Sequence, residues 1–186
     1  MTSAFIPFPE LKYNKEKLLN LYNSIQDSPL WKQYGPNPYN AISTHIVKVD
    51  EIISQFTPGL ISNEVKFVKM IAGGGAECHT DTRNVGILIP VIVEQGQLTH
   101  IHKTEETNND QPDHLNIDGD EKVKIYKTPI LESFYLDQPY FLNTHAPHSI
   151  TVKSAVDRVL LTVGFTEEYD NFELIKSMYK NGNILV

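Results

Sequence analysis

One cysteine, Cys78, is the only thiol in this chain. A disulfide framework within the chain is therefore excluded, and the fold must come from packing rather than cross-links. No stretch approaches the run of about 18 apolar residues that a membrane-spanning helix requires. The opening residues, MTSAFIPFPELKYNKEK, lack a basic segment followed by a long apolar one, so no secretory signal is expected and the cytoplasm is the default compartment. Clusters of lysine or arginine are missing too, and the formal net charge is -7. Nucleic-acid binding needs a basic face to neutralise phosphates, so it is not expected. There is no internal repeat and no low-complexity linker, and nothing in the pattern fixes an oligomeric state.

What is present is the balance of a globular domain. With 186 residues, 40% of them hydrophobic and 21% charged, the chain can bury a core without a structural metal. Leu18, Leu21, Tyr22 and Ile25 fall at helical spacing behind Asn14, a good N-cap. Pro29, Gly35, Pro36 and Pro38 mark an irregular connection, and Asp50 is the expected cap of a short helix carrying Ile52, Ile53 and Phe56. From Glu64 the pattern changes to short β-rich runs: VKFVKMIA, a Gly73-Gly74-Gly75 turn, NVGILIPVIV, LTHIH, VKIYK, LESFYL, PYFLN, SITV and RVLLTVGF. NVGILIPVIV is apolar on both faces, as a strand buried between two sheets would be. The polar stretch 103–122 reads as a long surface loop. Phe172, Ile175 and Tyr179 return to helical spacing, with Asp170 and Glu173 as a capping box and Asn181-Gly182 as the stop. The expectation is one domain over 1–186, mainly β. A helical flank (1–63) precedes a β core (64–166) of jelly-roll form, and a helix (168–182) closes the chain.

The chemistry gathers around Glu77-Cys78-His79-Thr80-Asp81. In extended backbone, residues i and i+2 project to the same side, so His79 and Asp81 can reach one ion. Two imidazoles and one carboxylate form the facial triad suited to non-haem Fe(II), with positions left open. A third ligand must come from a distant strand, either His145 or His148 in NTHAPHSITV. Arg158 opens the apolar strand RVLLTVGF, where a guanidinium is costly unless it meets a negative partner. A bound dicarboxylate suits it, because the guanidinium fork pairs with a carboxylate through two hydrogen bonds. Thr162 lies four residues further on the same strand face and offers a hydroxyl.

HTDTRNVGILIPV, then PYFLNTHAPHSITV, then DRVLLTVGF together resemble the aspartyl/asparaginyl β-hydroxylase branch of the 2-oxoglutarate/Fe(II) oxygenases, which includes bacterial proline hydroxylases and small phage-encoded relatives. The resemblance covers about Lys66 to Phe165. It implies a double-stranded β-helix and an Fe(II)-, 2-oxoglutarate- and O2-dependent hydroxylase that releases succinate and CO2. In that family the distal histidine precedes the co-substrate arginine by ten residues, which selects His148 over His145. The implied metal ligands are His79, Asp81 and His148, and the implied 2-oxoglutarate residues are Arg158 and Thr162. Relatives that lack the carboxylate ligand carry further basic residues after the first histidine, and Leu88 and Pro90 do not match these.

Arg83, two residues beyond Asp81, is the candidate for a substrate carboxylate, or for the co-substrate from the other side; a surface ion pair is the alternative. The partner is then a small molecule or a peptidyl residue. Asn143 and Thr144 are expected to shape the pocket or simply to form a turn, and Cys78 to be a packed thiol. Trp31, Tyr34 and Tyr39 are expected in the core or at the mouth. The rival reading is a cupin-type dioxygenase or isomerase. It rests on His100-x-His102 with Glu106, but lacks the upstream glycine and the second half of that motif. A non-catalytic jelly-roll binding module is the other alternative.

Overall fold

The computed structural model describes residues 3–34, 42–81, 83–103, 114–115, 122–123 and 128–186. After strand β1 (Phe5–Pro7), helix α1 spans Lys15–Ser24, and the Asn14 side chain caps it by accepting from Lys17 N. Strands β2 (Lys32–Tyr34) and β3 (Ile42–Val47) precede a single helical turn, α2 (Asp50–Ile53). The expected cap moves here: Asp50 is the first helical residue, and Val49 occupies the cap position without a side-chain hydrogen bond. Strands β4 (Ile61–Met70), β5 (Gly75–His79), β6 (Val85–Ile92) and β7 (Gln97–His102) follow. A minimal pair comes next, β8 (His114–Leu115) with β9 (Lys122–Val123). Other residues of the polar stretch 103–122 lie largely outside the described residues. The chain continues through β10 (Ile130–Tyr135), β11 (Tyr140–Asn143), β12 (His148–Val152) and β13 (Arg158–Phe165). A short 3-10 turn, Glu167–Tyr169, leads to α3 (Phe172–Lys180). Asn171, not Asp170, caps α3 by accepting from Leu174 N; Asp170 is used elsewhere.

Two antiparallel sheets make the body. The larger has seven strands in the order β1-β11-β6-β13-β4-β3-β2, the smaller four in the order β10-β7-β12-β5. Apart from the consecutive run β4-β3-β2 at one edge, neighbours within the two sheets are strands distant in sequence, the double-stranded β-helix arrangement. The flank read as helical and irregular thus supplies three strands, β1, β2 and β3, to the larger sheet.

Alternation along β13 defines inside and outside. Val159, Leu161, Val163 and Phe165 join Val85, Ile87, Ile89, Val65 and Phe67 in an outer core with Leu18 and Tyr22 of α1 and Phe172 and Ile175 of α3. Each such side chain stabilises by about 1.5–3 kcal/mol when fully buried. β6 is therefore apolar on both faces because one packs under helices and the other looks between the sheets. Trp31 belongs to this outer layer, edge-on to Tyr22 and His45. Tyr39 lies outside the described residues.

The opposite face of β13, carrying Arg158, Leu160, Thr162 and Gly164, looks toward the smaller sheet. Two apolar clusters bridge the sheets there. One joins Leu160, Leu142 and Tyr140 to Ile101 and Phe134, and the other joins Ile42 and Met70 to Ala76 and Val152. Phe5 of β1 stacks on Phe134 at 3.9 Å between ring centroids. Among the described residues, no helix is long and apolar enough to cross a membrane.

Candidate metal centre and the buried guanidinium

β5 begins where the glycine turn ends. A Cβ at Gly75 would overlap the Ile150 carbonyl, so glycine is what lets β5 lie against β12. The ladder then slips: His148 opposes His79, but Ile150 opposes Ala76. This bulge gives β5 an extra residue between Ala76 and His79, so both side chains face the interior although they are three residues apart. Cys78 faces the other way, its Sγ 3.9 Å from Thr128 Oγ1, and burial pushes its thiol up to about 11. It is a packed thiol, as expected.

His79 and His148 face each other across the two strands with ring centroids 4.4 Å apart. In both, Nδ1 lies against a backbone carbonyl: Glu77 O at 2.6 Å for His79 and Ala146 O at 2.9 Å for His148. Those carbonyls hold the Nδ1–H tautomer and turn the Nε2 edges inward. Asp81 lies just past the end of β5, with its amide bound to Thr144 O at 2.9 Å, and its Oδ1 is 3.5 Å from His79 Nε2. One ligand-type atom from each of His79, Asp81 and His148 falls within 4.8 Å of the others. The electrostatics suit a cation. Burial alone would raise the Asp81 carboxyl, but the hydrogen bond from His79 and the nearby His148, His79 and Arg83 hold it well below the usual carboxylate range. Burial, with His79 beside it, pushes His148 down to about 4, so its imidazole is neutral and has a lone pair to give.

Arg158 stands on the interior face of β13 with no exposed surface. Its Nη2 donates to Thr99 Oγ1 at 2.8 Å and its Nη1 to Leu98 O at 3.3 Å, but its buried Nε has no partner. No carboxylate lies within ion-pair distance among the described residues. Burial lowers this guanidinium to about 10, which leaves it charged at neutral pH. A buried charge without a counter-charge is expensive, and here it lines the space into which the metal-ligand cluster also faces. Thr162 shares this face and is buried, with its hydroxyl donating to Lys66 O at 3.4 Å. The donor set fits a first-row metal ion, and a guanidinium with no carboxylate partner among the described residues fits an organic dicarboxylate.

Thr99 escaped sequence reasoning, Thr144 shapes the site as one of its two expected readings had it, and Asp170 takes a part other than the expected cap. Thr99 shares a β7 face with Ile101, so strand alternation places it inward, but nothing marks it as the partner of an arginine 59 residues away. Thr144 forms more than a turn: its carbonyl holds Asp81 N, its amide donates to Asn84 O, and its hydroxyl donates to Arg83 O. Asp170, expected to cap a helix, instead accepts from the amides of Asn84 and Val85 at 2.9–3.0 Å. His145 is exposed and outside the cluster.

The rival histidines lie on the outer face of the smaller sheet. His100 bonds Ser133 Oγ and Thr151 Oγ1, and His102 bonds Thr128 O and Ser149 Oγ. Both nitrogens of each ring are committed, and Glu106 lies outside the described residues. Arg83 is exposed, two residues past Asp81.

No family profile matches the chain, and no curated protein is similar to it in sequence. Solved structures do match. The epimerase SnoN, in complex with Fe3+, alpha-ketoglutarate and nogalamycin RO, aligns over 87% of this chain and 78% of its own, at 10% identity and a TM-score of 0.59. A prolyl hydroxylase from Trichoplax adhaerens, in complex with a hypoxia-inducible-factor peptide fragment, aligns over 91% of this chain and 86% of its own, at 13% identity and a TM-score of 0.54. The likeness establishes the fold: this chain shares the jelly roll of these proteins.

Proposed function

We propose that the chain is a non-haem Fe(II)- and 2-oxoglutarate-dependent oxygenase that hydroxylates a small molecule or a peptidyl residue. The observation that carries the reading is the fully buried Arg158, charged and without a carboxylate partner among the described residues, in the same interior as the His79–Asp81–His148 cluster. A metal jelly roll of another kind has no need for such a cation.

In this reading His79, Asp81 and His148 hold Fe(II), with Nε2 as the donor atom of each histidine because the two Nδ1 atoms are engaged with carbonyls. Arg158 takes the distal carboxylate of 2-oxoglutarate, and Thr99 holds the planar guanidinium in position by accepting from its Nη2. Thr162 adds a hydroxyl on the same face. Fe(II) with 2-oxoglutarate and O2 supplies the oxidising power when bound, one oxygen atom entering the substrate C–H bond and the other entering succinate as CO2 is lost. The protein's share is to position and to keep water out. The apolar clusters around Leu160 and Phe134 on one side, and Met70 and Val152 on the other, flank the polar seam.

Anaerobic titration with Fe(II) and 2-oxoglutarate tests this. A weak visible charge-transfer band should appear in the parent protein and be lost in His79→Ala. Arg158→Ala should shift its half-saturation to much higher 2-oxoglutarate. Absence of any band in the parent protein, with no succinate released under turnover conditions, overturns the reading.

A further inference from the structure

The oxygenase reading leaves the substrate unnamed, and the inference here rests on that reading. We propose that the substrate is a small molecule bearing a free carboxylate, received by Arg83 above a floor of bare backbone made by Gly86 and Gly164.

The floor follows from register. Gly164 of β13 lies opposite Gly86 of β6, and alternation puts both on the interior face, since Val163, Phe165, Val85 and Ile87 all pack into the outer core. Next along that face come Thr162 and Leu88, which are also cross-strand partners. On β6 and β13 themselves, side chains line this face as far as Thr162 and Leu88, and the next pair, Gly164 and Gly86, offers none. Glycine inside a strand weakens it and marks close approach of another group. The approaching groups are visible. A Cβ at Gly164 would stand 3.2 Å from Arg83 Nη1 and 3.4 Å from Ser62 Oγ, and one at Gly86 would stand 3.8 Å from the Thr144 methyl. A side chain at 164 would make the guanidinium shift by a few tenths of an ångström.

Arg83 is set in place by its backbone rather than by an acid. Thr144 Oγ1 donates to its carbonyl, and Asp170 holds the amides of the next two residues. Its guanidinium makes no hydrogen bond or ion pair among the described residues, although it lies close enough to Asp81 to help lower that carboxyl. On a chain of net charge -7 with no basic patch, a cation held at the mouth of the metal cavity without an acceptor is a specific feature.

Position separates it from Arg158. Arg158 opens β13, whereas the Arg83 guanidinium lies against Gly164 near the other end of that strand, a backbone separation of six residues or roughly 20 Å between positions 158 and 164. Arg158 is at the buried end. Arg83 is at the open end, joined to Asp81 through Thr144. One small dicarboxylate cannot satisfy both, so Arg83 is left for the substrate. Its planar fork matches a carboxylate through two hydrogen bonds, and the exposed seat admits a free small acid.

The probe is a pool of free amino acids and their carboxamides, on protein loaded with zinc and 2-oxoglutarate, read by saturation-transfer NMR. The same compounds are then tested for stimulated succinate release with iron. At least one acid should bind while its amide does not. Arg83→Gln should weaken that acid between about 10-fold and 100-fold, the loss of a charge-assisted hydrogen bond, while 2-oxoglutarate affinity stays within about twofold. Gly164→Ala should weaken the same acid with the same indifference toward 2-oxoglutarate. The proposal is overturned if amides bind as well as acids, if Arg83→Gln leaves acid binding unchanged, or if the parent protein binds 2-oxoglutarate and none of the acids. Failure to bind 2-oxoglutarate at all removes the oxygenase reading itself, and this proposal with it.

Discussion

His79 and His148 are direct cross-strand partners, and the bulge between Ala76 and His79 in β5 is what turns His79 inward to meet its partner. The pair is thus part of the ladder, held by strand pairing and by two Nδ1–carbonyl bonds rather than by a loop. Removing one imidazole should leave the fold and abolish tight metal binding. His148→Ala and His79→Ala are each expected to lose well over the roughly 10–100-fold in metal affinity that loss of a mere supporting contact costs. Metal content after equilibrium dialysis, with circular dichroism to confirm the fold, checks this.

The same burial makes the metal-free protein acid-sensitive. His148 is pushed down to about 4, below its unfolded value near 6.5, so between those values the unfolded chain binds more protons than the folded one. The contribution is present above about 6.5 and is lost as pH falls toward 4. Between pH 7.5 and pH 5 it should shrink by on the order of 2 kcal/mol. Melting of the metal-free protein across this range should show the decline, and His148→Gln should flatten it.

Arg158 pulls stability and function in opposite directions. A guanidinium buried beside Thr99, with an unpartnered Nε, gains less than its desolvation costs. Arg158→Met, of similar volume, should be neutral or stabilising by about 1–2 kcal/mol in the ligand-free state. It should also abolish the rise in melting temperature that 2-oxoglutarate produces in the zinc-loaded parent, worth about 2.7 kcal/mol at a hundredfold excess over Kd. A destabilised variant that still responds to 2-oxoglutarate would refute the assignment.

Much of this was legible in the sequence for definite reasons. Strands from β4 onward announce themselves through apolar runs and glycine or proline punctuation, and Asn14 caps α1 by local chemistry. The grouping of His79 with Asp81 followed from the i, i+2 rule, although Asp81 lies past the end of its strand and is held by Thr144 O. Selecting His148 over His145 needed the family resemblance, because periodicity does not say which of two nearby histidines meets a distant strand. β1, β2 and β3 were hidden: β1 and β2 are three residues each and lie beside prolines, β1 pairs with the distant β11, and β3 carries Ser43, Thr44 and His45 at its centre, so no apolar run marks it. Asp170 was misread because a capping pattern is local, whereas its partners lie 85 and 86 residues upstream.

His102 separates this site from a cupin-like one. Its nitrogens contact Thr128 O and Ser149 Oγ on the outer face of the smaller sheet. His102→Ala should keep full metal stoichiometry, while leaving those buried groups unsatisfied at a cost of about 1–3 kcal/mol. Denaturant unfolding, read beside metal content, distinguishes the two outcomes; loss of metal with unchanged stability would favour the outer histidines.

Thr144 and Asp170 grip the same short segment from two sides. Thr144 bonds Asp81 N, Arg83 O and Asn84 O, and Asp170 accepts from the amides of Asn84 and Val85 and from the Asn84 side chain. Between them lie the proposed metal ligand Asp81 and the exposed Arg83, so the grip fixes the spacing of Asp81 from the histidine pair. Thr144→Val keeps the shape and both backbone bonds but removes the bond to Arg83 O; it should cost about 1 kcal/mol and affect metal binding little. Asp170→Ala leaves buried amides without acceptors and frees the start of β6. It should cost about 1–3 kcal/mol and also weaken metal binding roughly 10–100-fold. Asp170→Asn retains an acceptor oxygen and should recover most of the metal affinity while recovering less of the stability, since charge-assisted bonds become neutral ones. Equal losses of both quantities in Asp170→Asn and Asp170→Ala would mean that charge, rather than the position of the segment, is what Asp170 provides.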